Sequence, residues 1–393
     1  MEGPFIKNFC TGLRPESDRI MKCFTAACAA AAALFCAGPS PASDVTVFGM
    51  VDLSLGVWSV DSGVGGRTTK AEMLTGQYMA NRIGLRGEED LPNGLKAGFL
   101  LENGFNADSG TFKTSGVLFD RGSWLYLKSP EWGQFSAGRL GLLRSSATEF
   151  SYPVLGMRIN PFGSGWGSVG STMFLTPFHG FLGDNMMSWI SPKRAGLQLH
   201  VQYGMGEEGV ENKSSGNRYA ALGLTFDGAL ADAAVVVDQL DEKHALGESQ
   251  KDAFSVTMGG RIKLVDGLQL YAWTQFFKGA DTIMALPGTT GLKVLSGFDD
   301  ISGWTASTGL KMPVPGGRLN LMGAAMKASA DDACTQSTGS RLKRYAAFAG
   351  YEHPLSKHAT LYSAASFWKD VAAGSNYRNP TVLQWQTGLD YRF

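Results

Sequence analysis

Beyond its N-terminal segment the chain contains no apolar run of the roughly 18 residues that a membrane-crossing helix requires. A helical membrane protein is thereby excluded. Charge of one sign is equally missing: 35 basic residues meet 35 acidic ones, so no large field points to nucleic acid or an acidic partner. Cysteine is scarce. Cys10, Cys23, Cys28 and Cys36 all fall within the first 42 residues, and Cys334 alone follows, which excludes an internal disulfide downstream. The 5 histidines, at 179, 200, 244, 353 and 358, are scattered, and only His353 and His358 come close, flanking a turn. No Ser/His/acid or metal-ligand spacing emerges, and no Gly-rich phosphate cradle. The sequence therefore argues against an enzyme and implies no cofactor. What it does hold is glycine, 51 residues, with 11% aromatics and a mean hydropathy of -0.06. Strands with one apolar and one polar face, punctuated by glycine turns, average to such values.

Met21-Lys22 opens a short positive region, followed by the small apolar run Phe24 to Ala37 and then Gly38-Pro39-Ser40-Pro41-Ala42. This is the layout of a secretory signal peptide, its core too short to span a bilayer. Ser40 and Ala42 satisfy the small-residue rule at positions −3 and −1, so cleavage is expected after Ala42, with Ser43 the competing point. Residues 1–20 carry Glu2, Glu16 and Asp18 without signal character, so translation is expected to start at Met21. Cys36 reads as an ordinary residue of the apolar region, since Ala33 and Phe35 do not fit a lipobox. Three segments result: a mis-assigned start over 1–20, a signal peptide over 21–42, and one exported domain over 43–393 with 31 basic and 32 acidic residues.

From Asp44 onward the dominant period is two. Val45, Val47, Gly49, Val51, Leu53, Leu55 and Val57 oppose Thr46, Asp52, Ser54 and Gly56, and Leu197, Leu199, Val201 and Tyr203 oppose Gln198, His200 and Gln202. At the end of the chain Leu383, Trp385, Thr387, Leu389, Tyr391 and Phe393 make one row, Gln384, Gln386, Gly388, Asp390 and Arg392 the other. Tight-turn signals at 89–94, 129–133, 191–196, 227–228, 266–267, 313–317 and 353–356 alternate with polar stretches near 59–76, 106–116, 141–184, 207–216, 242–250, 280–298, 331–340 and 371–380. A soluble sandwich would share the period, but strict exchange of short and long connections marks an up-and-down transmembrane barrel. Seven turns and eight loops require an all-β, 16-stranded antiparallel barrel with both termini on the periplasmic side.

The stretch Asp44-Val45-Thr46-Val47-Phe48-Gly49-Met50-Val51-Asp52, then Asn81-Arg82-Ile83-Gly84-Leu85-Arg86-Gly87-Glu88-Glu89-Asp90-Leu91 with Gly94-Leu95-Lys96-Ala97-Gly98-Phe99, closely resembles the Gram-negative general porins of the neisserial and burkholderial type. Leu101-Glu102-Asn103-Gly104-Phe105, Phe119-Asp120-Arg121, Trp132-Gly133-Gln134-Phe135 and Gly138-Arg139 continue the likeness in order, and weaker similarity reaches Tyr203-Gly204-Met205-Gly206-Glu207. The resemblance implies a homotrimer in outer-membrane lipid and lipopolysaccharide, each barrel holding a water-filled pore for small hydrophilic solutes and ions. It also implies a third external loop folded inward, wall arginines at the narrowing, and a terminal aromatic strand, here Tyr391 and Phe393, read by the barrel-assembly machinery.

Residues 141–184 form by far the longest connection and are the candidate for that loop; Gly163 to Gly167 with Pro153, Pro161 and Pro177 would let it turn inside a lumen. Arg82 and Arg86 share the face opposite Ile83 and Leu85, so both should point at water. Arg82 and Arg121 match family positions, and Arg121 precedes Trp124 and Tyr126, which the alternation places outward. Glu149 and Arg158 are the loop charges; Lys96 and Glu102 complete the candidate lining. Guanidiniums facing a carboxylate across a narrow lumen order water and solute dipoles, and the basic surplus among these candidates hints at anion preference. Ser188 stands where relatives often carry arginine, next to Met186-Met187. Trp166, Met173, Phe174, Phe178 and Phe181 either line a more apolar filter or pack the loop against the wall. A substrate-specific channel and a structural or adhesive barrel remain as alternatives.

Overall fold

The computed structural model describes residues 44–393 apart from 64–65, 146–147, 164–165, 178–181, 206–217, 242–251, 288, 290–295, 331–339 and 374–378. The expected start and signal segments, most of the loops at 207–216, 242–250 and 331–340, and Phe178, Phe181 and Cys334 lie outside the described residues.

Seventeen β segments join in one antiparallel sheet, and they make sixteen staves because two of them share a lane. β1 (Asp44–Asp61) pairs its first half, Asp44 to Met50, with Glu88 back to Arg82, and its second half, Leu53 to Asp61, with Thr75 back to Arg67. The second strand, β2, therefore runs as Arg67–Thr75 and Arg82–Asp90 with residues 76–81 leaving the ladder between. The others are β3 (Lys96–Gly104), β4 (Gly122–Ser129), β5 (Gly133–Gly141), β6 (Leu182–Ile190), β7 (Leu197–Gly204), β8 (Arg218–Asp227), β9 (Ala231–Asp241) and β10 (Ala253–Lys263). β11 (Gln269–Thr282), β12 (Ser296–Val314), β13 (Gly317–Ala330), β14 (Ser340–Pro354), β15 (Ala359–Ala373) and β16 (Thr381–Arg392) complete the sheet. β16 pairs with β1 from Asp61↔Thr381 to Met50↔Arg392, and Gly49 and Phe393 exchange backbone hydrogen bonds at 3.0 Å, so the barrel closes. Closure leaves no sheet edge to be unsatisfied in lipid.

Alternation sorts the faces. Leu55, Leu125, Leu222, Leu383, Trp385 and Tyr391 are exposed on the outside, whereas Asp52, Ser54, Gln202, Gln384, Gln386 and Asp390 are buried inside. Exposed apolar and buried polar rows suit a wall with hydrocarbon outside and water or packed loop within. All seven tight turns fall where expected. The connection expected over 59–76 does not: β1 extends to Asp61 and β2 begins at Arg67, leaving 62–66. Trp124 and Tyr126 also correct the reading. Leu125 and Leu127 form the outward row; Trp124 is buried inside against Phe150 at 5.8 Å, and Tyr126 donates to Glu88 at 2.9 Å, across the lumen-side notch at Gly98.

The long connection after β5 folds into the barrel. Leu143 N donates to Gln202 Oε1 at 3.0 Å, Arg144 pairs with Asp238, and helical turns over Tyr152–Gly156 and Met157–Ile159 bury Val154, Leu155 and Ile159. The chain then packs along β12 to β16. Phe162 meets Phe348 at 6.2 Å, Trp166 meets Tyr362 at 5.6 Å, and Phe174 meets Trp368 at 5.6 Å, all edge-on. Such pairs contribute about 0.5–1.5 kcal/mol each beyond the area they bury. Positive φ at Gly163 (68°) and Gly167 (56°) makes the sharp reversals that bring Trp166 to the wall.

Candidate functional site

Arg82 opens the second half of β2 where the chain rejoins the ladder, and its Nε donates to the Ala80 carbonyl at 3.0 Å, so the reentry point itself fixes the side chain. Its Nη1 lies 3.6 Å from Glu102 Oε2 and 3.7 Å from Glu149 Oε2. Arg121, just before β4, places Nε 2.5 Å from Glu102 Oε1, and its backbone N donates to the Glu102 carbonyl at 3.2 Å. One buried wall carboxylate is thus clasped by two guanidiniums, and the loop carboxylate Glu149, half exposed, approaches Arg82 from the lumen. Removing both arginines would strand Glu102 in a buried position, the costly arrangement for an ion. The contact to half-exposed Glu149 is long and open to water on the loop side, so it positions the loop acid without locking it.

Four of the seven expected lining residues come together here: Arg82, Arg121, Glu102 and Glu149. Arg86 lies two lumen positions from Arg82, beyond Gly84, its guanidinium 5.4 Å over the Phe48 ring. Arg158 turns toward the far wall, donating to the Val154 carbonyl at 3.0 Å and pairing with Asp227 at 2.5 Å. Lys96 sits at the turn end, 2.7 Å from Glu88 and 3.0 Å from Asp90. Trp166 and Phe174 pack the loop against the wall; Met186 is buried inside and Met187 exposed outside, and Ser188 donates to the Val201 carbonyl at 3.1 Å. Tyr391 and Phe393 are half exposed on the outer face.

Sequence reasoning missed the segment 76–81. Asp52 Oδ1 accepts from Gln77 N and from Tyr78 N at 3.3 Å, Asp52 N donates to Asn81 Oδ1 at 2.5 Å, and Trp166 N donates to the Tyr78 carbonyl at 2.9 Å. The Tyr78 ring stacks on Tyr362 at 5.0 Å and meets Trp166 at 4.8 Å, while its hydroxyl donates to Glu352. A piece of the wall therefore steps inward to hold the loop. The short mixed stretch between Gly76 and Asn81 offered no period to read.

On the turn side of this cluster lies a cavity of about 940 Å³ reached past Pro130 and Pro192. Its lining includes the cations Arg86, Lys128, Arg158, Lys193, Arg261 and Lys263 and the carboxylates Glu88, Glu149, Asp227 and Asp232. Among the described residues no helix is long and apolar enough to cross a membrane, and no group of three His, Cys, Asp or Glu is arranged to hold a metal.

A closed sixteen-stave barrel, apolar outside, charged inside and narrowed by a loop folded into its bore, defines an outer-membrane channel. The chain belongs to the Gram-negative porin family, whose profile matches residues 24–370. It is 27% identical over 396 residues to an outer membrane porin of Bordetella pertussis, covering 93% of this chain and 98% of that one. Outer membrane porin protein 32 of Delftia acidovorans is 28% identical over 346 residues, 85% and 86% of the two chains. Among solved structures, the anion-selective porin from Comamonas acidovorans superposes with a TM-score of 0.66 at 24% identity, over 90% of this chain and 100% of that one. The trimer form of OmpT from Vibrio cholerae gives 0.56 at 12% identity, over 90% and 100%. The protein is an outer-membrane porin, through whose water-filled bore small hydrophilic solutes and ions diffuse passively.

Proposed function

We propose that Arg82, Arg121, Glu102 and Glu149 frame the narrowest passage, and that the pore favours small anions weakly. The observation that carries this is the approach of Glu149, on the infolded loop, to within 3.7 Å of wall-borne Arg82. Loop and wall meet there, so solutes must pass beside fixed guanidiniums and carboxylates, which replace part of a solute's hydration and orient its dipole. Arg86, Arg158 and Lys96 line the approach. Six cations against four carboxylates around the cavity tilt the local potential toward anions. The protein performs no bond chemistry in this reading. Three barrels associate as a homotrimer in outer-membrane lipid and lipopolysaccharide, and Tyr391 and Phe393, exposed on the last stave, serve as the aromatic signal for the barrel-assembly machinery.

Purified protein in a planar bilayer tests the reading. Discrete conductance steps with an anion-biased reversal potential in a salt gradient are expected, together with faster entry of larger sugars into proteoliposomes for R82A/R121A. Absence of steps would remove the porin reading, and unchanged sugar entry would remove these arginines from the narrowing.

A further inference from the structure

Charge is distributed unevenly along the bore. At the narrowing two arginines meet two carboxylates, and the neighbouring Asp120 and the Arg139–Asp184 pair add one cation and two more carboxylates. That ring holds no positive surplus. On the turn side the arithmetic differs. Asp227 closes β8 and takes two cations, Arg158 at 2.5 Å and Lys193 at 2.5 Å. Asp232, its directly paired neighbour on β9, also takes two, Arg261 at 2.7 Å and Lys263 at 2.7 Å. Four cations share two carboxylates, so two positive charges remain on one patch of wall.

The patch faces the open cavity and is built into the wall. Lys193 is half exposed and Lys263 a third exposed, so both ammonium groups reach water, while Arg158 and the carboxylates are held beneath them. His200 lies beside the first triad, nearly buried on the same cavity, with Nε2 on Thr225 Oγ1 at 3.1 Å and Nδ1 without a partner. Across the cavity Arg86 and Lys128 pair with no carboxylate among the described residues, and Glu88 on that wall is held by Lys96 and Tyr126. Screening in salt acts over about 8–10 Å, so the nearest surplus rather than the chain's overall balance governs an ion in this space.

We infer that the paired triads on Asp227 and Asp232, not the arginine cluster at the narrowing, set the sign of ion selectivity, with Lys193 and Lys263 as the groups that meet the anion. The inference rests on the anion preference proposed above and locates it. Small carboxylates, phosphate and chloride are concentrated on the periplasmic side of the narrowing by this patch.

The test is the reversal potential of the full-length exported protein in a potassium chloride gradient. Wild type is expected to favour chloride. K193Q/K263Q is expected to lower the chloride-to-potassium permeability ratio by about twofold or more, K193R/K263R to retain it, and D227N/D232N, which leaves the cations without their carboxylates, to raise it. A merely structural role for these residues would not move the two asparagine and glutamine variants in opposite directions. A wild-type channel that favours potassium overturns the anion preference itself. A chloride-selective wild type whose ratio is unchanged in correctly folded K193Q/K263Q, as judged by unit conductance, overturns this inference alone.

Discussion

The two walls of the bore are made of the same alternating strand yet serve opposite ends. Along β12 to β16 the inward rows carry Phe348, Tyr362 and Trp368 beside internally paired polar groups such as Arg344 with Asp370, and the infolded loop seals against the rings with Phe162, Trp166 and Phe174. Along β2 to β10 the inward rows carry Arg82, Glu102, His200, Asp232 and Arg261, and the loop meets them chiefly through ion pairs and single hydrogen bonds, with the Trp124–Phe150 ring contact beside them. The difference explains how a long loop can occupy a channel without filling it: its apolar side has one wall to dry against, and the charged wall keeps its water.

That contrast can be broken at the dry wall. Trp368→Ala empties the seat of Phe174 and Phe348 and is expected to lower unfolding free energy in detergent by about 3–5 kcal/mol and to raise single-channel conductance. An unchanged conductance would mean the loop holds its place without this wall. Arg344 is fully buried, paired to Asp370 at 2.7 and 2.8 Å while donating to the carbonyls of Phe174 and Met284. Arg344→Ala strands the carboxylate and should cost about 3–4 kcal/mol, whereas R344M/D370L should recover most of it, measured by urea titration. Tyr78→Phe removes one bond from Glu352, which keeps Arg318 and Asn320, so a loss of about 1 kcal/mol is expected with conductance intact. At the wet wall Lys96→Ala breaks an exposed pair and should leave the urea midpoint where it is.

Legibility in the sequence followed the same division. Turns announce themselves through local chemistry, as at Asp90-Leu91-Pro92-Asn93-Gly94 and Pro315-Gly316, and a lipid face shows itself through a period of two. The first half of β2 did not, because Thr68, Lys70 and Glu72 alternate with residues no more apolar than Thr69 and Ala71. Trp124 misled for a different reason: large aromatics mark a lipid face only where no loop waits inside to receive them, and Phe150 does. The meeting of Arg82 with Glu102 followed from pairing β2 with β3, two strands joined by a tight turn. Partners such as Arg344 and Phe174, or Arg144 and Asp238, lie far apart along the chain, and no local pattern could join them.

The step at residues 76–81 gives the loop a second duty. Where β2 leaves the ladder, β1 loses its ordinary neighbour opposite Val51 and Asp52, and the amide of Trp166 supplies a partner for the Tyr78 carbonyl. The plug is therefore also a prop: Gly76 and Asn81 keep the first two staves stitched at Asp52, and the loop braces that step from within, so shortening it ahead of Trp166 would take away the brace as well as widen the bore.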